Sequence, residues 1–68
     1  MERLPVRSSD LKSVGYLDSI LEIEFRSGGV YQYHGVPEHV YTRLMSAPSK
    51  GRYFHRAVRS VYPYTRLG

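Results

Sequence analysis

The chain has 68 residues, no cysteine and a formal net charge of +4. A domain this short buries only about 60% of the surface its unfolded chain exposes, so most large apolar side chains are committed to the core. Neither a disulfide nor a thiolate–metal site is available to staple it, which fits a reducing cytoplasm. No stretch approaches a membrane span, and the opening Met1-Glu2-Arg3-Leu4-Pro5 lacks a signal-peptide apolar region.

In chain order, Val6-Arg7-Ser8 suggests a short extended segment, broken by the turn-forming Ser8-Ser9-Asp10. Leu11 to Tyr16 reads as a second strand, weakened by Gly15. From Leu21 to Phe25 the alternation is clean: Leu21, Ile23 and Phe25 point one way, Glu22, Glu24 and Arg26 the other, towards solvent. Ser27-Gly28-Gly29 marks a hairpin turn, and Val30 to His34 is the returning strand. Pro37 opens a helix carrying Val40, Tyr41, Leu44 and Met45, which stops at Ala47-Pro48. Ser49 is an N-cap for a second helix with an apolar stripe of Tyr53, Phe54, Ala57, Val58, Val61 and Tyr62, ended by Pro63. Residues 64–68 are expected to fray. The expected fold is α+β: a small antiparallel sheet of about three strands followed by two α-helices packed on one face, all within one domain over residues 1–68.

Charge is unevenly spread along this plan. Residues 1–38 hold all six acids and four bases, a net −2; residues 39–68 hold six bases and no acid, a net +6. On the second helix, Arg52, Arg56 and Arg59 fall within roughly 60° of one another, opposite the centre of the apolar stripe. Lys50 lies near the helix start, His55 to one side, and Arg43 on the preceding helix. A solvated face of an ordinary helix mixes signs for i,i+4 pairing, whereas this one has no acid. Guanidinium forks match phosphate and stack on bases, so the face suits RNA or another polyanion. The plain alternative is that these charges only confer solubility.

Seven tyrosines and no tryptophan add an aromatic signal. Tyr31 and Tyr33 share one face of one strand, and the hairpin loop decides which. A two-residue loop sets them beside Glu22 and Glu24 on the solvent side, where they would be free to stack on unpaired bases. A three-residue loop pairs them with Ile23 and with Leu21 or Phe25 in the core. Gln32 and His34 are the poorer core residues, so the burying register is expected, with the hydroxyls reaching the edge. For catalysis or metal binding the pattern is poor. His34, His39 and His55 fall on three elements without ligand spacing, and no nucleophile–base pair or glycine-rich phosphate loop is present. No catalytic residue, metal, cofactor or small-molecule substrate is therefore expected.

Tyr31-x-Tyr33, Gly35-Val36-Pro37, Val40-Tyr41 and Ala47-x-Ser49-x-Gly51-x-Tyr53-Phe54, with Arg59 and Tyr62 beyond, resemble the KTSC domain. Upstream, Val6-x-Ser8-Ser9, Val14-Gly15-Tyr16 and Leu21-x-Ile23-x-Phe25-x-x-Gly28 also fit, so the likeness spans residues 5–62. His55 stands where asparagine is common in the family and Val58 where isoleucine is. The resemblance implies a small free-standing bacterial or phage relative of a domain found at the C-terminus of some lysyl-tRNA synthetases. RNA binding is suggested by that company, and no catalytic residues come with it. If its motifs matter for function, the matching positions are Tyr31, Tyr33, Ser49, Gly51, Tyr53 and Phe54. Two functional expectations follow. One is an RNA- or single-strand-binding module using Arg43, Lys50, Arg52, Arg56, Arg59 and His55. The other is a protein-interaction module or small homo-oligomer meeting protein through the same arginines and tyrosines.

Overall fold

The alternation of Leu21, Ile23 and Phe25 with Glu22 and Glu24 builds the central strand of an antiparallel sheet. The computed structural model describes residues 1–68 as β1 (Leu4–Pro5), β2 (Leu11–Leu17), β3 (Ile20–Phe25), β4 (Val30–His34), α1 (Glu38–Ser46), α2 (Lys50–Ala57) and β5 (Tyr64–Arg66). The spatial order is β1-β2-β3-β4-β5, with every neighbouring pair antiparallel. Both helices are thus inserted between the last two strands of a meander. The α+β class is as expected, but the sheet has five strands rather than about three. The chain end does not fray: Tyr64–Arg66 pairs with Tyr31–Tyr33, and Leu67 N donates to Val30 O at 2.7 Å.

Two hairpins set the register. Asp18 and Ser19 form a two-residue loop with both φ angles positive, 50° and 66°, the geometry that matches strand twist. Between β3 and β4, Phe25 N donates to Gly29 O, which leaves Arg26, Ser27 and Gly28 as a three-residue loop. Gly28 at φ 102° and Gly29 at φ 95° supply conformations that side chains resist. Ile23 consequently faces Tyr31, and Leu21 faces Tyr33, the burying register. A bulge between Leu11 and Ser13 lets Leu11 and Val14, three apart, face the same side.

That side carries the core. Leu11, Val14, Leu21, Ile23 and Tyr33 of the sheet meet Val36, Val40, Leu44, Phe54 and Val58 from the helical segment. The Tyr16 ring stacks on Tyr41 with centroids 5.0 Å apart, and its hydroxyl donates to Val36 O at 2.6 Å, which docks α1. Phe54 fastens α2, meeting Phe25 at 5.3 Å and Tyr33 at 5.2 Å edge to face. Ser49 caps α2 as expected, its hydroxyl accepting from Arg52 N at 3.4 Å.

Two further expectations fail. The apolar stripe predicts a helix running to Tyr62, yet α2 ends at Ala57. Val58 leaves helical geometry (φ −122°, ψ −51°), and both its amide and that of Arg59 donate to Phe54 O. Val58, Ser60 and Val61 are weak helix formers, and the chain must turn back here to deliver β5 to the sheet edge. Val61 is consequently exposed. The second failure concerns the opposite sheet face, expected to be solvated. Glu22 there is only 5% exposed, because β1 lays Arg3 across it. Arg3 donates to Glu22 Oε2 and to Ser13 Oγ, Ser13 Oγ donates to Glu24 Oε1, and Gln32 Nε2 donates to Glu22 Oε1. Burial favours the protonated carboxyl, but the Gln32 hydrogen bond and Arg3's hydrogen bond and charge outweigh it, holding Glu22 below its ordinary 4.5.

Candidate functional site

The helical half of the molecule carries three adjoining clefts that wrap α2. The first is formed where the C-terminus of α1 meets the start of α2. It is lined by Arg43, Arg52, Tyr53 and Arg56, with Ala47-Pro48 at its base. The Arg56 guanidinium lies 5.9 Å from the Tyr53 ring centroid. A cation over an aromatic face is held in place while its N–H edges stay free to donate.

The second cleft is lined mainly by polar side chains. Ser8 and Ser9 from the turn before β2 face Ser49, Lys50, Gly51 and Arg52 at the start of α2, with Arg7 beside them. Ser8 Oγ accepts from the amides of Asp10 and Leu11, each at 3.1 Å, which fixes the turn. From the β3–β4 loop, Arg26 Nε donates to Ser8 O at 2.6 Å and clamps it from outside. The turn packs against the start of α2 at Gly51, where a Cβ would make ordinary van der Waals contact with Asp10 at 3.5 Å and Ser8 Oγ at 3.9 Å. Lys50 is partly committed: its Nζ donates to Ala47 O at 3.2 Å, tying the two helices together.

The third cleft, of about 400 Å³, opens between α2 and the β4–β5 edge. Its floor is aromatic. The Tyr31 and Tyr33 rings stack with centroids 6.5 Å apart, and Tyr64 leans on them at 5.5 and 5.8 Å. Its rim is a chain of charged groups. Asp10 Oδ2 lies 3.0 Å from His55 Nε2, and His55 Nδ1 lies 3.4 Å from Arg59 Nη1. A guanidinium can only donate, so Nδ1 is the acceptor and Nε2 carries the proton given to Asp10. Tyr33 is 4% exposed. Its burial, with the neighbouring phenols of Tyr31 and Tyr64, pushes its hydroxyl up to about 12 against an opposing pull from Arg59.

The structure thus divides the arginine ridge anticipated on the second helix. Arg43, Arg52 and Arg56 come together, and Lys50 adjoins them through Arg52. Arg59 lies beyond the end of α2 and goes with His55 into the aromatic cleft. Tyr31 is half-buried and Tyr33 buried, as expected, while Tyr53 faces the arginines rather than the core centre. Two residues of the aromatic cleft escaped sequence reasoning. Asp10 reaches His55 across 45 positions, with no local signal. Tyr64 had one: Tyr64-Thr65-Arg66 alternates like a strand, and Arg66 lies 5.4 Å from the Tyr31 ring. No three His, Asp or Glu side chains come together in a way that would hold a metal ion.

Residues 7–62 match the family model described as the KTSC domain. The chain is 41% identical to an uncharacterized protein of Stutzerimonas stutzeri, covering 98% of this chain and 99% of that one. It is 47% identical over 47 residues to a lysine–tRNA ligase of Trichormus variabilis, covering 69% of this chain but 8% of the ligase. Among solved structures, a KTSC domain protein from Yersinia pestis superposes with a TM-score of 0.93 at 44% identity. That likeness covers 98% of this chain and 97% of the other.

Proposed function

The chain belongs to the KTSC domain family, and on that premise we propose that it is a non-catalytic module that binds RNA or another single-stranded nucleic acid. The observation that carries this reading is electrostatic. The salt bridges of the fold join Arg3 to Glu22 and Glu24 and Lys12 to Glu24, and Asp10 is engaged by the neutral His55 ring through a hydrogen bond. Arg43, Lys50, Arg52, Arg56 and Arg59 have no carboxylate partner, so their charge is available to phosphate. Glu22 and Glu24 lie on the far face of the sheet, while the clefts around α2 hold one carboxylate, Asp10, among several bases, so this side keeps a positive field. Relatives whose names include tRNA, the lysine–tRNA ligases, carry a stretch similar to this chain, which adds support. Binding of this kind is backbone-directed and weakly sequence-specific.

The test is affinity for a short mixed-sequence RNA across a range of salt. With Arg43, Arg52 and Arg56 each meeting a phosphate, the log–log slope should be about −2 for a single strand. Arg56→Glu should weaken binding about tenfold and flatten the slope, with the fold unchanged. An affinity that does not respond to salt, or to Arg52→Glu and Arg56→Glu together, would overturn the reading.

One feature favours a second reading, self-association. β5 is a sheet edge with its outer side unpaired, and Val61, Tyr64 and Leu67 near it are exposed. Sedimentation at rising concentration decides it: a dimer dissociated by Leu67→Lys supports this reading, and a monomer throughout removes it.

A further inference from the structure

We propose that the aromatic cleft is a receptor for one unstacked nucleobase bearing ring carbonyls, guanine or uracil, rather than adenine. The inference rests on the nucleic-acid reading above and says what that surface reads besides phosphate.

Tyr33 supplies the first observation. Its ring is buried, but its hydroxyl is not sealed in: it has no hydrogen-bond partner within the protein and opens onto the cleft. A phenol placed there can donate to, or accept from, a polar group that enters the cleft.

Arg59 supplies the second. It has no carboxylate partner, and its contact with His55 Nδ1 uses one N–H of the five a guanidinium carries. Asp10 holds the imidazole in the tautomer that accepts from Arg59, so the guanidinium is oriented from behind. His55 therefore acts as a positioning residue.

Tyr64 is the third. It is 59% exposed and leans against Tyr31 and Tyr33, leaving ring surface free at the mouth of the cleft. A base stacked there would find a volume of about 400 Å³ and, at the rim, the free N–H groups of Arg59. The Arg59 fork suits the O6 and N7 acceptors of guanine or a uracil carbonyl. Adenine would bring its amino donor against a group that can only donate.

The experiment is an amide NMR titration of the full chain with GMP, UMP and AMP, with inorganic phosphate as control. GMP and UMP should shift Gly28, Tyr31, His55, Arg59 and Tyr64, with AMP about fivefold weaker or more and phosphate leaving these amides still. Tyr33→Phe should lose about tenfold in GMP affinity, while its thermal midpoint stays level, because the hydroxyl makes no hydrogen bond within the protein. A merely structural tyrosine would not separate the two readouts. Tyr64→Ala should weaken GMP about tenfold through lost stacking. GMP shifts matching those of phosphate, equal binding of AMP, or unaltered GMP affinity in both variants would overturn the proposal. An RNA oligonucleotide that binds wild type and Tyr64→Ala alike would overturn it and leave the nucleic-acid reading standing. No RNA binding even at low salt would overturn both.

Discussion

Arg3 lies across the solvent side of the sheet and pairs with Glu22 in the central strand, so the residue just before a two-residue edge strand covers a carboxylate nineteen positions away. Removing Arg3 leaves that carboxylate buried and short of a donor. Arg3→Ala should cost about 1–3 kcal/mol at neutral pH. The pH dependence has a definite sign. Glu22 has a folded value below 4.5, so its contribution is present above 4.5 and is lost as pH falls through the depressed value. Urea unfolding at pH 7 and pH 2 should show the Arg3→Ala penalty shrinking at the lower pH.

Gly15 is required by the same segment. A Cβ at this position would sit 2.6 Å from the Glu2 carbonyl oxygen and 3.1 Å from Arg3 Cγ. Gly15→Ala should therefore push β1 off the sheet, costing about 1–3 kcal/mol. Amide exchange at Val6, whose N–H donates to Lys12 O at 3.2 Å, should accelerate in this variant.

Tyr33 sets an alkaline limit. Its hydroxyl titrates at about 12 in the fold, against 10.0 ordinarily, because burial and the neighbouring phenols oppose the phenolate. The unfolded chain binds fewer protons across that interval, so stability is full below 10 and declines as pH rises towards 12. An ultraviolet titration should show one late phenol, and Tyr33→Phe should remove it and flatten the alkaline decline.

The last strand can be tested by removal. A chain stopped after Pro63 loses the β4–β5 ladder and the Tyr64 cover over Tyr31 and Tyr33. Stability should fall by about 1–3 kcal/mol. The Tyr33 phenol should titrate earlier, since it loses both burial and the Tyr64 neighbour. An unchanged melting temperature would mean that β5 is only loosely held in solution.

The legible parts of this fold are those where one residue's neighbours carry the pattern. Leu21, Ile23 and Phe25 announce β3 by period two, Ser49 announces α2 by its cap, and the poor fit of Gln32 and His34 to a core selects the hairpin register. β1 was hidden because Leu4–Pro5 is too short for any period. The end of α2 was hidden because Val61 continues the apolar stripe although tertiary routing takes the chain elsewhere. The site follows the same division. Arg43, Arg52 and Arg56 are marked by charge and helical spacing, whereas Asp10–His55 and Tyr33–Tyr64 are meetings between distant segments. Arg59 lies past the end of α2, so helical spacing does not set the side on which it falls.

The two helices lie in the connection between β4 and β5, so the last ladder closes a far longer loop than either hairpin. Hairpins meet at little entropic expense, whereas this closure must wait until the helices are in place. β5 is accordingly expected to dock only after the two helices are in place. Its departure dismantles the aromatic cleft without unfolding the core, because Tyr64 leaves while Phe54 and Tyr33 stay. Any ligand seated between Tyr64 and Arg59 would act as a latch on the chain end. Its grip would be read as slowed exchange at Leu67, whose amide is the final rung.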